Sequence, residues 1–233
     1  MRPEKRLAIL QSNYIPWKGY FDLIASVDEF IIFDDAQYTK NDWRNRNRIK
    51  TPQGVQWLTI PVETKGKLSQ RIREAEVKDD IWREKHLRTL LQNYARARYF
   101  SDYKAWLEQL YGGCNTRLLS KINYHFLTAI CNELKITTKL TWSSDYHLGD
   151  GKTERLVSLC EQAGATSYLS GPSARDYLDP ALFERAGIEL HFKEYVYPEY
   201  PQLYPPFDHA VTVLDMILST GPQAPQFMVG RIQ

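Results

Sequence analysis

Two short apolar runs near the N-terminus constrain the fold more than any other part of the sequence. Residues 7–10 form the first run and residues 30–33 the second, with a loop and a segment of helical apolar spacing between them. The second run lacks polar alternation, which is typical of a strand buried on both faces of a parallel sheet. Strand, loop, helix and strand within about 30 residues predict a βαβ unit.

The C-terminal third returns to the same alternation of strand and helix patterns. These patterns cover residues 139–142, 153–163, 166–170, 182–186, 188–192 and 210–219. Before them, apolar residues at three- and four-residue spacing predict a long helical block. We therefore predict an α/β, Rossmann-like fold with a mostly parallel sheet. We expect a single domain over residues 1–233, with a helical insertion at about residues 80–135.

Composition excludes several classes of protein. A net charge of +2 argues against bulk nucleic-acid binding, and an aromatic content of 13% argues against disorder. Cys114, Cys131 and Cys160 are far apart and form no CxxC pair, so we expect neither disulfides nor a zinc site. No apolar stretch approaches the ~20 residues that span a bilayer. The sequence predicts a soluble, cytoplasmic protein without membrane insertion.

Two polar loops follow the two N-terminal strands, at residues 11–20 and 34–48. Ligands of open α/β sheets bind at the carboxyl ends of the strands, so we expect both loops to face one crevice. The candidate substrate-binding residues are Gln11, Asn13, Tyr14, Trp17, Gly19, Tyr20, Tyr38, Trp43, Arg44, Asn45 and Arg46. Aromatic rings stack on bases or sugars, and arginine forks bind phosphates or carboxylates.

The candidate catalytic residues are Asp34, Asp35, Gln37 and Lys40. Two aspartates that end a buried strand suit a magnesium ion or a proton acceptor. A structural interpretation stays open, because an aspartate pair also forms turns or caps helices. Similarly, Arg44, Arg46 and Arg48 alternate, and alternating polar residues also form the solvated face of an edge strand.

One long motif carries a resemblance to a known family. The motif Q-x-x-Y-x-P-W-x-G-Y-F begins at Gln11, and D-x-x-Q-Y-x-K-x-x-W-x-N-R-N ends at Asn47. The acidic position of the second motif falls on the pair Asp34 and Asp35, and Gln37 and Tyr38 follow it. This opening resembles that of the WbqC-like family, and later segments around Gly171 and Asp215 also fit. The resemblance extends over essentially the whole chain.

The resemblance implies a role near surface-polysaccharide pathways such as O-antigen biosynthesis. There, the transfer of glycine or another small acyl group to an amino sugar has been suggested for relatives. We accordingly expect an acyl or aminoacyl transferase, or an ATP-dependent amide ligase, with an amino acid or acyl donor and an amino sugar or nucleotide sugar as substrates. A non-catalytic protein that binds a nucleotide sugar or an acidic metabolite is the alternative.

A more distant resemblance links the chain to nucleotidylyl-transferase-like proteins, which include the pantothenate synthetases. Residues 19–24, 34–38 and 172–178 resemble three of their segments, in the same order. The resemblance implies phosphate binding by Ser170, Gly171, Ser173 and Arg175, with ATP and magnesium as candidate cofactors. A proline-started helix is the structural alternative for that segment. Trp17 and Tyr20 replace the two histidines of the H-x-G-H signature, which leaves the use of ATP open.

Overall fold

The computed structural model of the chain describes residues 4–67 and 69–232. The strands are β1 (Arg6–Leu10), β2 (Glu29–Ile32), β3 (Arg46–Thr51), β4 (Gly54–Thr59), β5 (Lys139–Trp142), β6 (Ser167–Ser170), β7 (Glu189–Glu194) and β8 (Arg231–Ile232). The helices are α1 (Lys18–Ala25), α2 (Ile81–Tyr94), α3 (Phe100–Gly112), α4 (Leu119–Glu133), α5 (Thr153–Gln162), α6 (Pro180–Arg185) and α7 (Val213–Thr220).

The main sheet has the order β5-β2-β1-β6-β7-β8. Its first five strands are parallel, and β8 pairs antiparallel with β7. Strands β2 and β5 therefore lie on one side of β1, and the chain then crosses over to build the other side from β6. The fold is α/β and Rossmann-like, which confirms the prediction of a mostly parallel sheet.

The strand order reverses between β1 and β6, where such folds form a crevice. Strands β1 and β2 pair up to Leu10 and Ile32, at the end of both strands. By contrast, β1 pairs with β6 only through Arg6 and Leu7. The two strands diverge before their carboxyl ends, and this divergence leaves space beyond Leu10 for the loops of the candidate site.

The central strands are buried on both faces, as their apolar runs predict. Ala8 and Phe30 face a large core that includes α1, α4 and α7, whereas Leu7 and Ile31 face a smaller core with α5 and α6. Side chains alternate between the two faces because a strand has a period of two residues. The sheet is thus a layer between two groups of helices.

Two elements lie outside the main sheet. Strands β3 and β4 form an antiparallel hairpin, and helices α2, α3 and α4 occupy the segment predicted to be helical. The organisation of residues 1–233 as a single domain stays a prediction. Among the described residues, no helix is long and apolar enough to cross a membrane.

The C-terminal part differs in detail from the expectation. Helix α7 begins at Val213 rather than at residue 210, because Thr212 caps it by accepting a hydrogen bond from the Leu214 N–H. It ends at Gly221, which has a φ of 55°. Strand β8 has only two residues, so no repeating pattern marks it in the sequence.

Candidate functional site

A buried carboxylate joins the carboxyl ends of β1 and β2. Asp34 follows β2 and is 1% exposed. It accepts hydrogen bonds from the backbone N–H of Ser12 at 2.8 Å, from the Ser12 hydroxyl at 2.7 Å and from the Ser120 hydroxyl on α4. Burial raises the pKa of Asp34, and these hydrogen bonds oppose the shift. Asp34 therefore fixes the β1–α1 loop against α4.

Asp35 is engaged differently, by cations. Its carboxylate lies 3.1 Å from Arg71 and 3.0 Å from Arg73, and it accepts a 2.7 Å hydrogen bond from Ser143. Each of the two carboxylates therefore accepts from three described donors. They do not fit a magnesium site, because a metal ion would have to displace those donors. Within residues 4–67 and 69–232, no three His, Cys, Asp or Glu side chains form a metal-binding cluster.

A pocket of about 220 Å³ opens beside the β1–α1 loop. We call it the aromatic pocket. It is lined by Asn13, Pro16, Trp17, Trp43, Asn47 and Ala210. Two indole rings and two side-chain amides therefore converge on one space, and the three site residues Asn13, Trp17 and Trp43 come from the set that the sequence predicts.

The loop beside the aromatic pocket has strained backbone. Ile15 has a φ of 35°, which is costly for a β-branched residue. The Asn47 amide on β3 holds this turn by donating to the carbonyls of Tyr14 and Ile15, at 3.1 and 2.8 Å. The Trp17 ring then folds over Gly19, where a Cβ atom would lie 2.3 Å from it. Gly19 is thus required for this position of the Trp17 ring.

The rim of the aromatic pocket is a stack of cationic and aromatic groups. The Arg46 guanidinium lies 4.1 Å from the centroid of Trp57, and the Trp57 and Trp43 rings are 5.4 Å apart. The side chains of Trp43 and Trp57 are 40% and 41% exposed. Arg48 lies 5.8 Å from both rings and donates twice to the Ala210 carbonyl. Trp57 is outside the set of site residues that the sequence predicts.

Arg44 lies apart from Arg46 and Arg48. It precedes β3, and its guanidinium donates to the side-chain oxygen of Asn13 and forms a 3.4 Å ion pair with Asp42. The expectation that three alternating arginines share one strand face therefore holds for Arg46 and Arg48 alone. Asn13 connects Arg44 to the aromatic pocket.

Several predicted substrate-binding residues are buried in the structure. Tyr14 is fully buried and its hydroxyl bonds to His86 and Tyr111, while the Tyr20 hydroxyl donates to the Gln11 carbonyl at 2.9 Å. Tyr38 is also buried, and burial raises its pKa to about 12. These rings pack in the core and leave the aromatic pocket to other residues.

The remaining N-terminal candidates are spread over different environments. Asn45 is buried and donates to the Ile60 carbonyl at 2.8 Å. Gln11 is half-buried, whereas Gln37 and Lys40 are exposed. Gln37 forms an isolated bridge with Arg71. The structure therefore does not bring Lys40 into the aromatic pocket, since Lys40 does not line it.

The predicted phosphate-binding residues follow β6. Ser170 ends that strand, and Ser173 and Arg175 lie on a 3-10 turn at Pro172–Asp176. Pro172 begins this 3-10 helix, which agrees with the proline-started helix of the structural alternative, and phosphate binding stays a prediction. The Arg175 guanidinium lies 4.3 Å from the Phe192 ring centroid. Gly171 approaches the Tyr195 hydroxyl, 3.6 Å from the position of a Cβ atom.

Tyr195 links this segment to the aromatic pocket. Its ring lies 5.1 Å from that of Trp17. The loops after β1 and β7 therefore meet across an aromatic contact, and Gly171 at the end of β6 lies next to it. Burial raises the pKa of Tyr195 to about 12, with a smaller contribution from Asp22.

Lys18 is a buried amine outside the set of site residues that the sequence predicts. It is 2% exposed, and its Nζ donates to the Pro198 carbonyl at 3.2 Å. The rings of Tyr197 and Tyr200 lie 4.9 Å from Nζ, and that of Phe207 lies 5.8 Å away. Burial lowers the pKa of Lys18 to about 8. No motif marks this residue, because its partners are about 180 residues away.

Comparisons with known proteins agree with the resemblance of the opening motif. No solved structure matches the chain. The chain is 51% identical over 225 residues to the uncharacterised protein Rv1507c of Mycobacterium tuberculosis (strain ATCC 25618 / H37Rv), covering 96% of this chain and 97% of that protein. The sequence profile of the WbqC-like protein family matches residues 11–227. The chain belongs to the WbqC-like protein family.

Proposed function

We propose that the protein is a transferase or ligase that joins a small carboxylic acid to the amine of an amino sugar carried by a nucleotide. The observation that carries the proposal is the aromatic pocket at the carboxyl end of β1. Indole faces such as those of Trp17 and Trp43 suit the apolar faces of a sugar ring, and the amides of Asn13 and Asn47 suit its hydroxyl groups. Membership of the WbqC-like family suggests a role in polysaccharide biosynthesis.

The charged groups around the aromatic pocket support an anionic substrate. Arg46 stacks on Trp57 and forms no ion pair among the described residues, so its N–H groups are available to a diphosphate. Arg44 lies on the other side, next to Asn13. An amino sugar in the pocket would thus place its nucleotide diphosphate toward cationic side chains.

The reaction forms one C–N bond. In an ATP-dependent form, a carboxylate oxygen attacks the α-phosphorus of ATP, and pyrophosphate leaves. The amine then attacks the acyl carbon of the acyl-adenylate, the bond to AMP breaks, and the amine nitrogen loses a proton. With a carrier-bound acyl donor, the carrier leaves instead of AMP. Much of such catalysis comes from the positioning of the two reactants.

The candidate catalytic residues have different parts in this proposal. Asp34 and Asp35 each accept from three described donors, so we assign them a positioning role and route no proton through them. Ser170, Gly171, Ser173 and Arg175 are the proposed contacts for ATP in the ATP-dependent form. The cytoplasm is the proposed compartment, because Cys114, Cys131 and Cys160 are free thiols.

The test combines the protein with a UDP-linked amino sugar, glycine and magnesium-ATP, with mass spectrometry to detect the amide and AMP. We expect product with the wild-type protein and a loss of at least about tenfold in nucleotide-sugar affinity for Asn13→Ala. Asn115→Ala is the matched control, because Asn115 is exposed in the loop between α3 and α4. If the wild-type protein binds no amino-sugar nucleotide, the proposal fails.

ATP use needs its own measurement. Calorimetric titration with magnesium-ATP, repeated with Arg175→Ala and with Arg185→Ala as the matched control on α6, separates the two forms of the reaction. Weaker binding with Arg175→Ala alone supports the acyl-adenylate route. No binding at millimolar ATP excludes that route and leaves a carrier-bound acyl donor.

A binding protein for a nucleotide sugar or an acidic metabolite is the second candidate. One observation favours it: among the described residues that line the aromatic pocket, none has an ionisable side chain. Such a protein would bind the nucleotide sugar and depend on Asn13 in the same way. It would form no product with any acyl donor, with or without ATP.

A further inference from the structure

A second pocket lies at the carboxyl ends of β2 and β5, on the other side of Asp34. We call it the charged pocket. It has a volume of about 210 Å³ and is lined by Asp34, Asp35, Arg73, Lys121, Ser143 and Asp145, among others. Like the aromatic pocket, it is smaller than the roughly 300–1,000 Å³ of pockets for drug-sized ligands, so it has room for a small molecule or for one group of a larger one.

One part of the charged pocket favours negative charge. Lys121 lies 4.1 Å from the Trp142 ring centroid and forms no ion pair among the described residues. Ser120 and Lys121 are in the first turn of α4, a helix of 15 residues whose dipole is positive at that end. The exposed Ser144 also lines the charged pocket and has a hydroxyl that can donate to an anion.

Another part of the charged pocket favours positive charge. Asp145 is exposed, and one of its oxygens accepts a 2.9 Å hydrogen bond from the Trp142 N–H. Asp34 and Asp35 also line the pocket, although both are engaged by donors. A phosphate dianion would lie close to three carboxylates, and a simple amine would lie close to Lys121 and Arg73. Neither ligand matches both parts.

We propose that the charged pocket binds a small α-amino acid as a zwitterion, with its carboxylate toward Lys121 and Ser144 and its ammonium group toward Asp145. This inference rests on the proposed function, in which the amino acid supplies the acyl group. A charge-assisted hydrogen bond at each end accounts for specificity, because a ligand with one charge satisfies only one part of the pocket.

The two pockets are joined by a short path of hydrogen bonds. Asp34 lines the charged pocket and holds Ser12, whose neighbour Asn13 lines the aromatic pocket. Asn123 on α4 donates to the Ser12 hydroxyl at 3.0 Å and to the Arg44 carbonyl at 2.9 Å. The two pockets therefore share one segment, in which Asp34 holds Ser12 next to Asn13.

The test is a titration of the wild-type protein with glycine and L-alanine, followed by calorimetry and tryptophan fluorescence. Acetate, methylamine and inorganic phosphate are the single-charge comparisons. We expect both amino acids to bind at least about tenfold more tightly than the three comparison ligands. The fluorescence change should vanish in Trp142→Phe, because the ligand displaces Lys121 from the Trp142 ring.

Lys121→Met tests the anionic end and should weaken glycine binding by at least about tenfold. Lys104→Met is the matched control, since Lys104 is exposed on α3 and pairs with Glu108. Asp145→Asn tests the ammonium end. Circular dichroism and the nucleotide-sugar affinity of each variant separate a local effect from unfolding.

Three results would overturn the inference. Equal binding of acetate or phosphate would identify an anion site, and an unchanged affinity in both Lys121→Met and Asp145→Asn would place the amino acid elsewhere. Absence of amino-acid binding at tens of millimolar, together with intact nucleotide-sugar binding, would remove the inference and leave the proposed function standing with another acyl donor. Amino-acid binding without any binding of the nucleotide sugar would contradict the proposed function and leave the amino-acid site standing.

Discussion

Ser12 donates both its backbone N–H and its hydroxyl to the carboxylate of Asp34, at 2.8 and 2.7 Å. The two residues follow neighbouring parallel strands, so this pair fixes the relative positions of the loops after β1 and β2. Ser120 adds a third donor from α4. Both proposed pockets depend on the same carboxylate, because Asp34 lines one and Ser12 precedes a lining residue of the other.

Replacement of Asp34 should affect the stability of the whole site. We expect Asp34→Asn to lower the free energy of unfolding by about 2–4 kcal/mol, since an amide has one acceptor oxygen and leaves a buried donor unpaired. Urea denaturation measures this change. Asp150→Asn, in an exposed turn, is the control and should stay within about 0.5 kcal/mol of wild type. Equal stability of both variants would show that Ser12 and Ser120 find other acceptors.

Trp57 should support the wall of the aromatic pocket through Trp43. We expect Trp57→Ala to cost about 1 kcal/mol of stability, because it removes the ring contact with Trp43 and the stacking of Arg46. It should also weaken nucleotide-sugar binding about fivefold, as Trp43 becomes more mobile. Val55→Ala is the matched control, on the same strand and 43% exposed. Unchanged affinity in Trp57→Ala would show that Trp43 keeps its position without this neighbour.

The sheet was predictable because its signals are local. The uninterrupted run at residues 30–33 indicated a strand buried on both faces, and β2 has that environment. The spacing of apolar residues around Phe21 indicated α1 for the same reason. Apolar patterns that repeat every two or 3.6 residues can be recognised from neighbouring positions in the sequence alone.

The site was only partly predictable because its contacts join distant residues. Tyr14 belongs to the motif yet points into the core toward Tyr111, and nothing near Tyr14 in the sequence marks that partner. Asp35 pairs with Arg71 and Arg73, which lie beyond the hairpin. Trp57 had a partial signal, because its alternation with Leu58 on a strand places the two side chains on opposite faces. Its place beside Arg46 needed the register of β3 and β4.

Glu29 should make stability depend on acid pH. Burial alone would raise the pKa of Glu29, but hydrogen bonds from Lys5, Tyr146 and Thr141 lower it to about 2. A carboxyl group with a depressed pKa stabilises the folded state above its unfolded pKa of 4.5, and this contribution disappears as the pH falls toward 2.

We therefore expect wild type to exceed Glu29→Gln in stability at pH 7 by about 2 kcal/mol, with the difference shrinking between pH 4.5 and 2. Denaturant unfolding across that range measures the difference. Glu161→Gln on the exposed face of α5 controls for the loss of one charge. A difference that stays constant down to pH 2 would contradict the assignment of Glu29.

Lys18 should also make stability rise with pH, but in an alkaline window. Its ammonium group is buried among Tyr197, Tyr200 and Phe207, and burial lowers its pKa from 10.5 to about 8. Between pH 8 and 10.5 the unfolded chain binds the proton that the folded protein has released. The free energy of unfolding contributed by Lys18 therefore rises with pH over this window.

The comparison of wild type with Lys18→Met isolates this effect. We expect the stability of wild type relative to Lys18→Met to increase from pH 7 to pH 10, because the cost of the buried charge disappears as Lys18 becomes neutral. Urea denaturation at each pH measures it, with Lys104→Met as the control for loss of an exposed lysine. A relative stability that does not change with pH would show that the aromatic rings and the Pro198 carbonyl keep Lys18 charged through pH 10.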